Sequence, residues 1–234
     1  AYVDYGFNVV ALEDLTFEGV QNLVQDPAFG GFKVFMGETT GSLVMDNFVK
    51  LGEIFDSFQG SNITFSLHAE DGELMSKLNI DSSGLLRSHL RSRMGAAESS
   101  AIDKALVAAG VNSSSLHFLH ISSKEGVKAL KGKGATFEVT PHHLLLDVKN
   151  FYKDNEVEGY GKVNPPIRTS DDRTALWEAV RDGSVNTLGS DHAPHTIEEK
   201  DGEMPPSGMP GVETMIPLML QKVKERQLSL TRLV

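Results

Sequence analysis

The sequence predicts an α/β fold of the (β/α)8 TIM-type barrel, here incomplete, with about six of the eight strands in the chain. Three observations carry that reading. Short β-rich runs alternate with helical patterns along the chain, the arrangement of a parallel sheet built from βα units. The helical stretches carry their own start and stop residues. Lys33, His68, His120, His142, His143 and Asp191 all fall at or just beyond the ends of predicted strands, on the face where a β/α barrel collects its catalytic groups.

The predicted strands are YVDYGFNVV (2–10), FKVFMG (32–37), ITFSLHAE (63–70), LHFLHIS (116–122), ATFEVTPHHL (135–144) and VNTLGSDHA (185–193). Between the third and fourth, residues 100–110 put Ile102, Ala105, Leu106 and Ala109 on one helical face and stop at Gly110, as a helix does. Ser122 and Glu125 read as a capping box ahead of VKAL, contributing about 1 kcal/mol and ending the strand at His120. Thr169 or Ser170 can cap DDRTALWEAVRDG, in which Leu176 and Val180 share a face and Gly183 is the stop. GEMPPSGMPG (202–211) reads as a loop beside the substrate. No repeat or linker interrupts residues 1–234, so one domain is expected, and the two strands needed to complete a barrel are expected upstream.

Composition narrows the function. The 234 residues are 40% hydrophobic and 23% charged, enough for a sizeable core. A formal charge of -10 argues against a nucleic-acid backbone as partner. No run approaches the roughly 18 apolar residues of a membrane helix, and the opening residues lack signal-peptide features, so a cytoplasmic protein acting on a small molecule is expected. With no cysteine, any metal falls to His, Asp, Glu or a modified side chain.

The stretch GSDHAPH (189–195) follows the apolar run VNTL with an acid and two imidazoles. A buried aspartate costs several kcal/mol unless something pairs with it. A lone histidine at a strand end is most simply structural, but barrel strands converge, so His68, His120 and Asp191 become neighbours, and His and carboxylate donors suit zinc. Lys33, set among Phe32, Val34 and Phe35, allows two answers. Either it pairs with an acid, or burial and neighbouring cations lower its pKa until the neutral amine takes up carbon dioxide as a metal-bridging carbamate.

The segments FKVFMGETTG, LHAED, LHISSKEG, TPHHLLLD, KVNPPIRT, GSDHAPH and PSGMPGVET, taken together and in order, resemble the cyclic amidohydrolases, and among them the dihydroorotase family. The asparagine of KVNPP leans the same way. The resemblance implies reversible hydrolysis of dihydroorotate to N-carbamoyl-aspartate by two zinc ions bridged by carboxylated Lys33. By the same resemblance His68 and His120 bind the second zinc, and Asp191 binds the first and serves as general base and acid. His195 would hold the substrate carboxylate, while Asn164, Ser207 and Gly208 would contact the ring. His142 and His143 would be structural or lie behind the ligands. A homodimer is a further possibility of this family. The chain departs from the family pattern in lacking its His-x-His pair, the arginine for the substrate carboxylate and the asparagine that assists it. Met94 follows Arg93 where a proline is usual, and the last barrel helix and a small β-rich domain are absent or incomplete after LTRLV. Residues 1–234 alone are therefore expected to be inactive. Two other readings stand beside this one: an allantoinase or a hydantoinase/dihydropyrimidinase-type enzyme acting on another ring, and a non-catalytic scaffold that keeps only the barrel.

Overall fold

The computed structural model describes residues 4–38, 43–77, 86–110, 115–151 and 159–234. Six strands run in chain order through one sheet: β1 (Phe7–Val10), β2 (Phe29–Phe35), β3 (Phe65–His68), β4 (Leu116–Phe118), β5 (Thr136–Val139) and β6 (Thr187–Leu188). Every adjacent pair is parallel, and helices fill most crossovers. Among these residues β1 and β6 do not pair with each other, so the α/β barrel architecture is present and open along one side. None of the helices is long and apolar enough to cross a membrane among the described residues.

The sequence pattern of β2 explains its two faces. Successive side chains of a strand point to opposite sides. Phe32, Val34 and Met36 are fully buried, whereas Lys33 and Phe35 are half-buried on the other face. Phe32 stacks on Phe65 with ring centroids 5.5 Å apart, and Phe55, from α1 (Phe48–Ser57), meets Phe65 edge-on at 5.0 Å. These rings anchor the layer between sheet and helices. Register then sets Phe35 beside His68 and Lys33 beside Ser66, which puts Lys33 and His68 on adjoining strands at the same end of the barrel.

Several elements differ from the sequence reading. All six strands exist, but most are shorter than expected, because each pairs only where its neighbour's register meets it. Residues 2–10 give a strand only from Phe7, with 1–3 outside the described residues. The run 135–144 stops at Val139, since Pro141 opens α6 (Pro141–Leu145) under a cap from Thr140, the position at which proline is tolerated. His142 and His143 thus lie on a helix. The run 185–193 keeps only Thr187 and Leu188. α4 (Gly95–Ala109) begins ahead of residue 100, with Met94 as its N-cap residue, and ends at Gly110 as expected. The cap of α5 (Lys124–Leu130) is Ser123, whose hydroxyl accepts from the Gly126 amide at 2.9 Å. Ser122 instead donates to the buried Glu98 carboxylate at 2.5 Å.

α7 (Ser170–Asp182) matches its sequence signals, with Thr169 ahead of it and Gly183 left-handed after it. The Thr169 hydroxyl and amide both donate to Asp172, at 2.6 and 3.1 Å. Asp172 also accepts from the Lys124 amide at 3.1 Å, so this start joins α7 to α5. Thr169→Ala is expected to cost about 1 kcal/mol, seen as a lower urea midpoint with an unchanged m-value. A shift within error would show that Asp172 alone holds the helix start.

Candidate active site

The C-terminal ends of β2, β3, β4 and β6 bring Lys33, His68, His120 and Asp191 together. His68 and His120 are almost fully buried, and His68 Nδ1 lies 3.1 Å from His120 Nε2. On its other side His68 Nε2 is 2.9 Å from Glu70. Burial would raise the Glu70 carboxyl, but Arg93, which pairs with it, and His68 outweigh this and bring it down to about 2. Glu70 is therefore an acceptor, and His68 must donate from Nε2. That leaves His68 Nδ1 as the ring nitrogen that faces His120. Burial, then the neighbouring His68 and Lys33, holds the His120 pKa well below its usual value, so the His120 imidazole is neutral.

Two nitrogens bound to one tetrahedral zinc at 2.0–2.1 Å stand roughly 3.3 Å apart. The His68–His120 separation of 3.1 Å is close to that edge, and a carboxylate behind a ligating imidazole is the usual way to fix its tautomer. Among the described residues no three His, Asp or Glu side chains are placed to hold a metal. The histidine pair fits one as donors, and a third donor would have to come from a modified Lys33.

Burial lowers the Lys33 pKa to about 8, against the pull of the Asp191 and Glu138 carboxylates. Its ammonium also lies 4.9 Å from the Phe35 ring centre. Asp191 is shifted the other way, raised by burial against Lys33 and His68. Glu138 enters from β5, with Oε1 accepting from the His120 amide at 3.2 Å. Gly189 makes room for it, since a Cβ there would lie 2.5 Å from Glu138 Oε1. His120 and Asp191 both adopt left-handed backbone, with φ of 39° and 43°. Such geometry in residues other than glycine costs about 1–3 kcal/mol and gathers at functional sites.

The residues expected to touch the ring lie to one side. Asn164 and Ser207 line a cleft of about 1090 Å³ shared with His89, Arg93 and Lys162; Lys33, His68, His120 and Asp191 are not in its lining. Gly208 sits beside it at φ 142°, where a Cβ would meet the Ala193 carbonyl at 2.4 Å. His195 is committed to the loop, donating from Nε2 to the Ser207 carbonyl at 3.1 Å, with Nδ1 3.6 Å from Glu199. Residues 202–211 form the expected loop, and Ala193 donates to the Met209 carbonyl at 3.1 Å. His143 Nε2 lies 3.0 Å from the Pro165 carbonyl.

No family profile matches the chain. Over 202 residues, 85% of the chain, it is 39% identical to the dihydroorotase of Pyrococcus abyssi, of which that stretch covers 44%. Over 240 residues, all of the chain, it is 33% identical to the dihydroorotase of Archaeoglobus fulgidus, covering 53% of it. By sequence the chain is similar to these dihydroorotases over most of its own length. It spans about half the length of the curated relatives it matches. In structure it is similar over its full length to the dihydropyrimidinase from Brevibacillus agri, with a TM-score of 0.84, 24% identity and 54% of that chain covered, a likeness of fold.

In this open barrel, sequence reasoning missed Glu70, Arg93, Glu138 and Arg168. Glu70 was visible as the acid two residues after His68, and Glu138 as a charge inside a β-rich run. Arg93 and Arg168 carried no such signal. Arg168 donates to Ser122 at 2.8 Å and to the Arg93 carbonyl at 2.6 Å, tying Arg93 and its partner Glu70 to the start of α5.

Proposed function

We propose that the protein hydrolyses the cyclic amide of dihydroorotate, reversibly, to N-carbamoyl-aspartate. The observation that carries this is the buried His68–His120 pair, 3.1 Å apart, facing Lys33 and Asp191 in a chain 39% identical to a dihydroorotase. His68 and His120 would hold one zinc ion, Asp191 the other, and Lys33 as its carbamate would bridge them. Zinc bound there would polarise the scissile carbonyl and acidify water at neutral pH. Burial of Lys33 favours the neutral amine, the form that adds carbon dioxide with loss of a proton. Asp191, its pKa raised by burial, would accept a proton from the attacking water and return it to the ring nitrogen as the amide bond breaks. Asn164, Ser207 and Gly208 would seat the ring, and His195, beside Ser207, its carboxylate. The His-x-His pair and substrate arginine have no counterpart in these 234 residues, so the reaction is proposed for the whole protein. The same reading makes it a cytoplasmic homodimer in which residues 1–234 form one barrel domain.

The test is ring opening by the full-length protein with zinc and bicarbonate, using dihydroorotate beside allantoin and dihydrouracil. Selective turnover of dihydroorotate supports the proposal. Preference for another ring would move the substrate, and zinc binding without turnover would favour a scaffold.

A further inference from the structure

α8 (Ile197–Lys200) is a single turn, started by Thr196, whose amide donates to Glu199 at 2.8 Å while the Thr196 hydroxyl accepts from the Glu199 amide. It ends on Lys200, which is only 6% exposed. No carboxylate pairs with Lys200 among the described residues. Its ammonium donates instead to two backbone carbonyls, Pro206 at 2.8 Å and Lys162 at 3.2 Å. Those carbonyls belong to the two segments that carry Asn164 and Ser207. The segments touch directly through one further bond, from the Gly208 amide to the same Lys162 carbonyl at 2.9 Å.

Burial lowers the Lys200 pKa to about 8, with Lys162 adding to the effect. A lysine kept nearly out of water to meet only main-chain oxygens is a poor choice for stability, because its solvation is replaced by two bonds. What it fixes is relative position. Its two acceptors sit on different segments of one cleft, and it is held by a turn whose preceding residue, His195, also grips the Ser207 carbonyl.

We propose that Lys200 is a positioning residue for substrate binding: its ammonium staples the segment of Asn164 to the segment of Ser207 and Gly208, setting the width of the ring-binding cleft. This rests on the proposed ring-opening function for its consequence in catalysis, but the staple itself can be read without turnover.

The experiment uses the zinc-loaded full-length protein and its Lys200→Met and Lys200→Arg variants. Methionine keeps the length and apolar stem and removes the donors; arginine restores a charged donor. In Lys200→Met, exchange of the Gly208 amide is expected to quicken about tenfold or more, from loss of charge-assisted bonds, while the Phe32 amide, which donates to the Thr64 carbonyl in the core, keeps its rate. KM for dihydroorotate is expected to rise about tenfold with kcat falling less than threefold, since position and not chemistry is lost. Lys200→Arg should recover most of both. Unchanged Gly208 exchange, or an equal quickening at Gly208 and Phe32 that reports general loosening, overturns the staple. A fall in kcat with KM unmoved overturns the binding role. If the unaltered protein leaves dihydroorotate intact, the functional reading fails, and the Gly208 exchange rate decides the staple by itself.

Discussion

Asp191→Asn is expected to leave the full-length protein folded and to lower its turnover of dihydroorotate by about a thousandfold, within the span known for loss of a general acid–base. Asparagine keeps the shape of the side chain and removes its charge, and with it the ability to take and return a proton. The backbone argument runs in the same direction. At φ 43° asparagine is among the best tolerated residues after glycine, so the urea midpoint should hold or rise slightly. The variant also removes a negative charge beside Lys33, whose pKa the Asp191 carboxylate raises, so the lysine should lose its proton more readily. Kinetics, zinc content and urea unfolding measured together separate the outcomes. Turnover within tenfold of the unaltered protein would remove Asp191 from the proton-transfer role, whatever happens to the metal.

The second large effect is on stability in acid. His89 and His143 are both buried, and burial first of all brings each from 6.5 down to about 4. The folded state therefore binds fewer protons than the unfolded chain between those values, and stability rises with pH through that window. Read downwards, it is lost as pH falls below about 6.5. Each histidine should account for roughly 2 kcal/mol of loss between pH 7.5 and pH 5, from the linkage of 1.36 kcal/mol per unit. His120 and His142, also held well below their usual value by burial, add in the same direction. Glu98, raised by burial, opposes them, and Glu70, held near 2, adds its own loss only below the ordinary carboxylate range. Urea unfolding of zinc-free protein at pH 7.5 and pH 5 measures the sum. A flat profile would mean that these imidazoles are hydrated in solution. Because His89 donates to the Val163 carbonyl at 2.8 Å and His143 to that of Pro165 at 3.0 Å, the segment on either side of Asn164 should loosen first.

How much of this was legible in the sequence depended on where the determining partner lies. The alternation around Lys33 and the strand-end places of His68, His120 and Asp191 are local patterns, and the sheet register kept them together. The cap of α5 was not local: Glu98, a helix away, takes the hydroxyls and amides of both Ser122 and Ser123, while the Ser122 oxygen accepts from Arg168 and that of Ser123 from the Gly126 amide. The same holds for Glu70 with Arg93, and for His89 and His143 on the loop of Asn164. Each is a contact across many residues in which neither partner's neighbours announce the other. Strand lengths failed for a related reason, since apolar runs state what can be buried and the partner's register states what is paired. GEMPPSGMPG, by contrast, read correctly as a loop because its glycines and prolines act locally.

The left-handed backbone at His120 and Asp191 also bears on how such a barrel would respond to selection. Glycine at either position would relieve the local conformation and remove a buried ionisable group. A library of variants sorted for thermal endurance alone would drift toward glycine at those two places, and would lose the candidate site before it lost anything of the sheet.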